Sequence, residues 1–135
     1  DKALVFEGYD TLKDTLTMSL ELIDNLKISK ERMYKMANEG FTTATDFADY
    51  LVKEKKLTFR ESYSISSQLV NFAEKKGVTL NKISLDELKK FYKDLDKRVL
   101  KVFDVKHSMN SKNSYGGTSS SNVIKMIKKY KKDTK

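Results

Sequence analysis

The chain contains no cysteine and no proline, and only one histidine, His107, among its 135 residues. Without cysteine there is no disulfide framework, no thiolate nucleophile and no thiolate metal site. That composition fits a reducing compartment. Without proline, helix ends must be written by capping residues and glycines. A single histidine with no acid cluster at ligand spacing gives no metal site, so His107 is read as a structural residue of a loop or helix end. No apolar run is long enough to cross a bilayer, and the N-terminal residues lack the basic-then-apolar layout of a signal peptide. The start Asp1-Lys2-Ala3 has no initiator methionine and reads as an internal segment boundary.

What is abundant is charge. Lysine and arginine number 27 against 19 acids, for a net +8. Such an excess raises the possibility of a stand-alone basic module binding nucleic acid or an acidic partner. Its distribution favours a plainer reading. Much of it sits in Lys125, Lys128, Lys129, Lys131, Lys132 and Lys135, and lysine heavily outnumbers arginine. Phosphate and base readers favour the bidentate fork of arginine. A solvated lysine face is the simpler account.

The hydrophobic pattern is helical throughout. Val5, Tyr9, Leu12, Leu16, Leu20, Ile23 and Leu26 recur at steps of three and four, which predicts one helix of roughly 40 Å over residues 1–28. Leu4, Phe6, Met18 and Leu22 widen its apolar surface beyond one stripe, as in the interior of a bundle. Shorter units follow. Ser29 is a plausible N-cap, and Gly40 closes that helix. Thr43–Asp46, Thr58–Glu61 and Ser84–Glu87 each have the spacing of a capping box, and Gly77 closes the second of those helices. The third is expected to continue through Leu95, Val99 and Val102 as helix rather than strand. Ser108 to Ser121, rich in Ser, Asn and Gly, reads as a loop. A last helix carries Val123, Ile124, Met126, Ile127 and Tyr130, with a fraying basic end. The fold class is all-α: one long helix, then a small helical domain.

Five segments then resemble one family in order. Ala44-Thr45-Asp46-Phe47-Ala48-Asp49-Tyr50-Leu51-Val52 is similar to A-T-D-L-A-D-Y-L-V, and Phe59-Arg60-Glu61 to the start of F-R-E-A-H. Lys76-Gly77-Val78-Thr79-Leu80 is similar to K-G-x-x-L, Ser84-Leu85-Asp86-Glu87-Leu88 to S-L-E-E-L, and Ser114-Tyr115-Gly116-Gly117-Thr118 to S-Y-G-G-T. Together they resemble the argininosuccinate lyases of the fumarase/aspartase superfamily. The stretch Asp1-Lys2 resembles the end of that family's Q-E-D-K. Three positions depart from the pattern: Tyr63 stands in place of a histidine, Thr58 in place of a proline, and Lys112 in place of an arginine.

The resemblance implies that residues 1–28 end a central-domain bundle helix and that 29–135 form the C-terminal helical domain. It implies a cytoplasmic homotetramer of arginine biosynthesis, cleaving argininosuccinate to arginine and fumarate by elimination. Neither a cofactor, nor a metal, nor nucleic acid, nor a membrane is expected as a partner. The catalytic serine loop, G-S-S-x-M-P-x-K, does not occur, so no catalytic residue is expected here and the piece reads as mainly structural. Ser119-Ser120-Ser121 is read as a polar linker. One residue is implied to bind substrate: Lys2, a cation for its anionic end. Asp46 and Asp49 are read as capping and surface residues rather than a catalytic carboxylate pair. Tyr115-Gly116-Gly117-Thr118 lacks the lysine of a phosphate loop and reads as a tight turn capping the last helix. Adenylosuccinate lyase is disfavoured by the first and last segments.

Overall fold

A computed structural model describes residues 2–133; the expected fraying at Lys135 lies outside them. The described residues form helices and turns with no strand. They divide into two compact units, one ending at Met33 and one starting at Tyr34.

The first unit is dominated by α1 (Lys2–Asp24), in which no residue is buried. The helix is shorter than its apolar period suggests. At its end the Asn25 side chain donates to the Glu21 carbonyl at 2.8 Å, and the Leu26 N–H turns back to Ile23 at 3.2 Å. That tightening satisfies the last carbonyls and stops the helix before Leu26. The second helix, α2 (Lys30–Glu39), begins after Ser29, whose carbonyl accepts from Met33 at 3.0 Å, and carries Glu31 in its first turn. It stops at Gly40, as expected, although Phe41 rather than the glycine takes the positive φ, 50°.

The second unit holds the core. Its main pair is α3 (Ala44–Lys55) and α4 (Phe59–Lys76), which pack on each other, with α3 also against a 3-10 helix at Lys97–Phe103. Phe47 and Leu51 from α3, Leu69 and Ala73 from α4, and Val99 and Phe103 from the 3-10 helix are all at most 2 % exposed. Phe47 and Phe103 meet with ring centroids 5.4 Å apart. Full burial of each such large side chain contributes about 1.5–3 kcal/mol before ordering costs. Small residues let α3 and α4 approach: Ala48, Ser62 and Ser66 are buried, and the Ser66 hydroxyl donates to the Ala44 carbonyl at 2.6 Å.

Two capping boxes form as expected. Thr58 and Glu61 bond reciprocally at the start of α4, and Ser84 and Glu87 do so at the start of α5 (Leu85–Leu88). Gly77 closes α4 in the left-handed conformation, φ 68°. The box expected at Thr43 does not form. Thr43 is the N-cap residue of α3, but its ψ of 3° departs from the extended cap and its side chain caps nothing. Aspartate is a methylene shorter than the glutamate that completes the other two boxes, and Asp46 has partners elsewhere.

Two further expectations are corrected. The helix opened by Ser84 does not run to Val102; α5 is one turn, followed by turns and the separate 3-10 helix. Breaking the helix lets Leu88, Leu95, Val99 and Phe103 all reach one core, which a straight helix of that length could not arrange. The supposed loop from Ser108 to Ser121 is also partly helical. Asp104 caps α6 (Val105–Ser111) by accepting from Lys106 at 2.8 Å, and α7 (Ser120–Asp133) starts at Ser120. Only the residues between these helices form the connection.

Candidate functional site

Lys2 lies in the first turn of α1, exposed, with no hydrogen bond or ion pair to any described residue. Its position is in step with Val5, Tyr9, Leu12 and Leu16, so it lies on the main apolar face. An ammonium on a face built to be covered requires an anion when that cover arrives. Nothing else among the described residues of the first unit adds chemistry to it.

In the second unit, an acid and a base far apart in sequence meet. Asp46, in the first turn of α3, accepts from the Ser108 hydroxyl and the Lys112 ammonium, both at 2.5 Å. The Asp46 side chain is only 13 % exposed and that of Lys112 is 47 %. The hydrogen bond to Asp46 holds the Lys112 ammonium above its ordinary pKa, against the opposing effect of burial. Asp46 therefore ties α6 and the segment after it to α3; the expectation of a capping aspartate at the surface is corrected. Sequence spacing carried no sign of the triad, because its members are more than sixty positions apart. A shallow cavity of about 170 Å³ beside it includes Asp49, Lys53 and His107 in its lining. His107 is exposed on α6, and no group of three or more potential metal-binding side chains occurs among the described residues.

From Lys112 the chain enters the glycine turn. The Gly117 N–H donates to the Ser114 carbonyl at 2.8 Å, and the Ser119 N–H donates to the Lys112 carbonyl at 3.1 Å. Gly116 has φ 77°, and a Cβ on Gly117 would sit 2.2 Å from the Lys112 carbonyl oxygen. The Asn122 amide reaches back to the Ser114 carbonyl at 2.6 Å, so the turn is fastened to the first turn of α7. Ser119 to Ser121 are not a linker: Ser119 is buried at the cap, its hydroxyl 3.2 Å from that of Ser121, and Ser120 opens the helix. The turn positions a helix and binds no anion. Tyr115 at its tip is 99 % exposed.

The α3–α4 pair carries an apolar groove of about 320 Å³ between Ala44, Ala48, Phe59, Tyr63 and Val70. Tyr63 is exposed and packs against Phe59 with centroids 6.2 Å apart. A phenol thus adds apolar area where an imidazole could have carried a proton. Elsewhere, the Tyr50 hydroxyl is buried without a hydrogen-bond partner, and that burial, with Asp96 nearby, raises its pKa. None of these groups forms a base positioned beside an anion-stabilising site, so the described residues assemble no elimination centre.

Comparison with known proteins gives one answer. A family model described as argininosuccinate lyase C-terminal matches residues 41–110. An argininosuccinate lyase of Pelagibacter ubique is 48 % identical over 132 residues, which cover 98 % of this chain and 29 % of that protein. One from Bartonella tribocorum is 39 % identical over 98 % of the chain and 28 % of its own length. The chain thus spans less than a third of these relatives. Among solved structures, an EDDS lyase variant with bound fumarate superposes with a TM-score of 0.71 at 25 % identity, covering 77 % of this chain and 22 % of that one.

Proposed function

Because the chain belongs to the argininosuccinate lyase C-terminal family, we propose that it serves as the C-terminal part of a lyase cleaving argininosuccinate to arginine and fumarate. The observation that carries this reading is 48 % identity to a named argininosuccinate lyase across nearly the whole chain. The fumarate bound by the structurally similar EDDS lyase variant is in keeping with that product. In this reading residues 1–28 complete a central bundle helix and 29–135 form the C-terminal domain. The parent is a cytoplasmic homotetramer of arginine biosynthesis that needs no cofactor.

The part played by this chain is mainly structural. Its one candidate for substrate contact is Lys2, whose ammonium would face an anionic group of the substrate. The alignment of Lys2 with the apolar face of α1 supports this, since a covered cation needs a fixed anion. The parent enzyme should release fumarate from argininosuccinate, followed by its ultraviolet absorbance, while the 135 residues alone should release none. Lys2→Ala in the parent should lower kcat/KM at least tenfold with the tetramer intact by light scattering. Unchanged kinetics would remove Lys2 from the site, and fumarate from the 135 residues alone would overturn the structural role.

A further inference from the structure

Besides its main apolar face, α1 carries a second strip. Leu4, Thr11, Thr15, Met18 and Leu22 recur at steps of seven, four, three and four, on one side of the helix. Leu4, Met18 and Leu22 are 75, 71 and 66 % exposed. The two threonines between them are less polar than they look: the Thr11 hydroxyl donates to the Glu7 carbonyl at 2.8 Å and that of Thr15 to the Thr11 carbonyl at 2.7 Å. Each hydroxyl is therefore satisfied within the helix and needs no partner in an interface. Alongside this strip runs an acidic ridge, Glu7, Asp10, Asp14 and Glu21, at steps of three, four and seven. The helix as a whole has five acids to two lysines.

The counterpart is α7. Val123, Met126 and Ile127 form an exposed apolar stripe on it, edged by Lys131, with Lys128 one turn earlier on the same side. Five lysines stand against one aspartate. Each helix is amphipathic, each leaves its apolar side uncovered within the chain, and their charges are opposite. We propose that the α7 stripe packs on the second strip of α1 of another copy of this chain, with Lys128 and Lys131 along the Glu7–Glu21 ridge. Apolar packing supplies the affinity and the flanking charges set register and partner, as at the edges of paired helices. The main face of α1 stays available for bundle neighbours. This contact goes beyond the lyase reading: fumarate release by the parent neither requires nor excludes it.

The test is zero-length carbodiimide coupling of the full 135-residue chain, mixed from ordinary and ¹⁵N-labelled protein, with peptide mass spectrometry. Expected are amide links from Lys128 or Lys131 to the ridge carboxylates that join light to heavy chains. Lys128→Glu with Lys131→Glu should cut association, read by sedimentation, at least tenfold, and Asp10→Lys with Asp14→Lys should restore it. Links confined to light–light and heavy–heavy pairs would place the contact within one chain and overturn the proposal. So would failure of the charge swap to restore association, or a chain that stays monomeric while α7 binds anionic vesicles.

Discussion

Gly117 has no room for a side chain, since the Lys112 carbonyl oxygen occupies the place of its Cβ at 2.2 Å. Gly117→Ala should force the turn open and lower stability by about 2 kcal/mol, read as a fall in Tm. Gly8, in the exposed middle of α1, meets nothing within 4 Å, and alanine there should be neutral or slightly stabilising. Asp46 makes a comparable demand through charge. Asp46→Ala leaves Ser108 and Lys112 without their acceptor and should cost about 2 kcal/mol. A double-mutant cycle of Asp46→Ala with Lys112→Met should return a coupling of about 1 kcal/mol; additive losses would show that the pair does no joint stabilising. Gly117 was legible in the sequence as part of a turn motif. The role of Asp46 was not, because hydrogen bonding across sixty residues leaves no local pattern.

At the scale of elements, caps decided where helices begin more reliably than hydrophobic period decided where they end. Thr58 and Ser84 start helices as their spacing indicates, because the box is a bond between residues three apart. Glu87 does double duty: it completes the Ser84 box and pairs with Lys76 of α4, whose hydrogen bond is the chief reason its pKa falls to about 2. A carboxylate depressed in the folded state stabilises above its ordinary range, and that contribution is lost as pH falls through the folded value of about 2. Lys76→Met should raise the Glu87 pKa toward its ordinary value, followed by NMR titration, and move the acid loss of stability to higher pH. An unchanged titration would show that Ser84 alone sets it. The end of α5 follows no such local rule. Leu88, Leu95, Val99 and Phe103 read as one helical stripe, yet the chain breaks so that each reaches the core made with α3 and α4.

For the molecule as a whole, the contrast between the two units governs behaviour. The second unit encloses a core of ten buried apolar residues from α3, α4 and the segments after them. The first has α1 with nothing buried, and a lone helix of 23 residues gains little in water without a neighbour. Helical content by circular dichroism should therefore fall on dilution of the chain, as association is lost, while the near-ultraviolet signal of the second unit persists. Helicity independent of concentration would mean that α1 needs no partner. The net charge of +8 is spread over this architecture without an arginine-rich reading surface, and no comparison carries the alternative of a stand-alone basic module. The sequence by itself determined the helical class, two of the three capping boxes and the family, since periods, caps and ordered motifs are short-range patterns written along the chain. Only the tertiary structure decided that Asp46 binds Ser108 and Lys112, that the helix after Ser84 breaks, and that α1 stays uncovered. Those outcomes depend on which distant side chains meet, and on burial that competes with local preference.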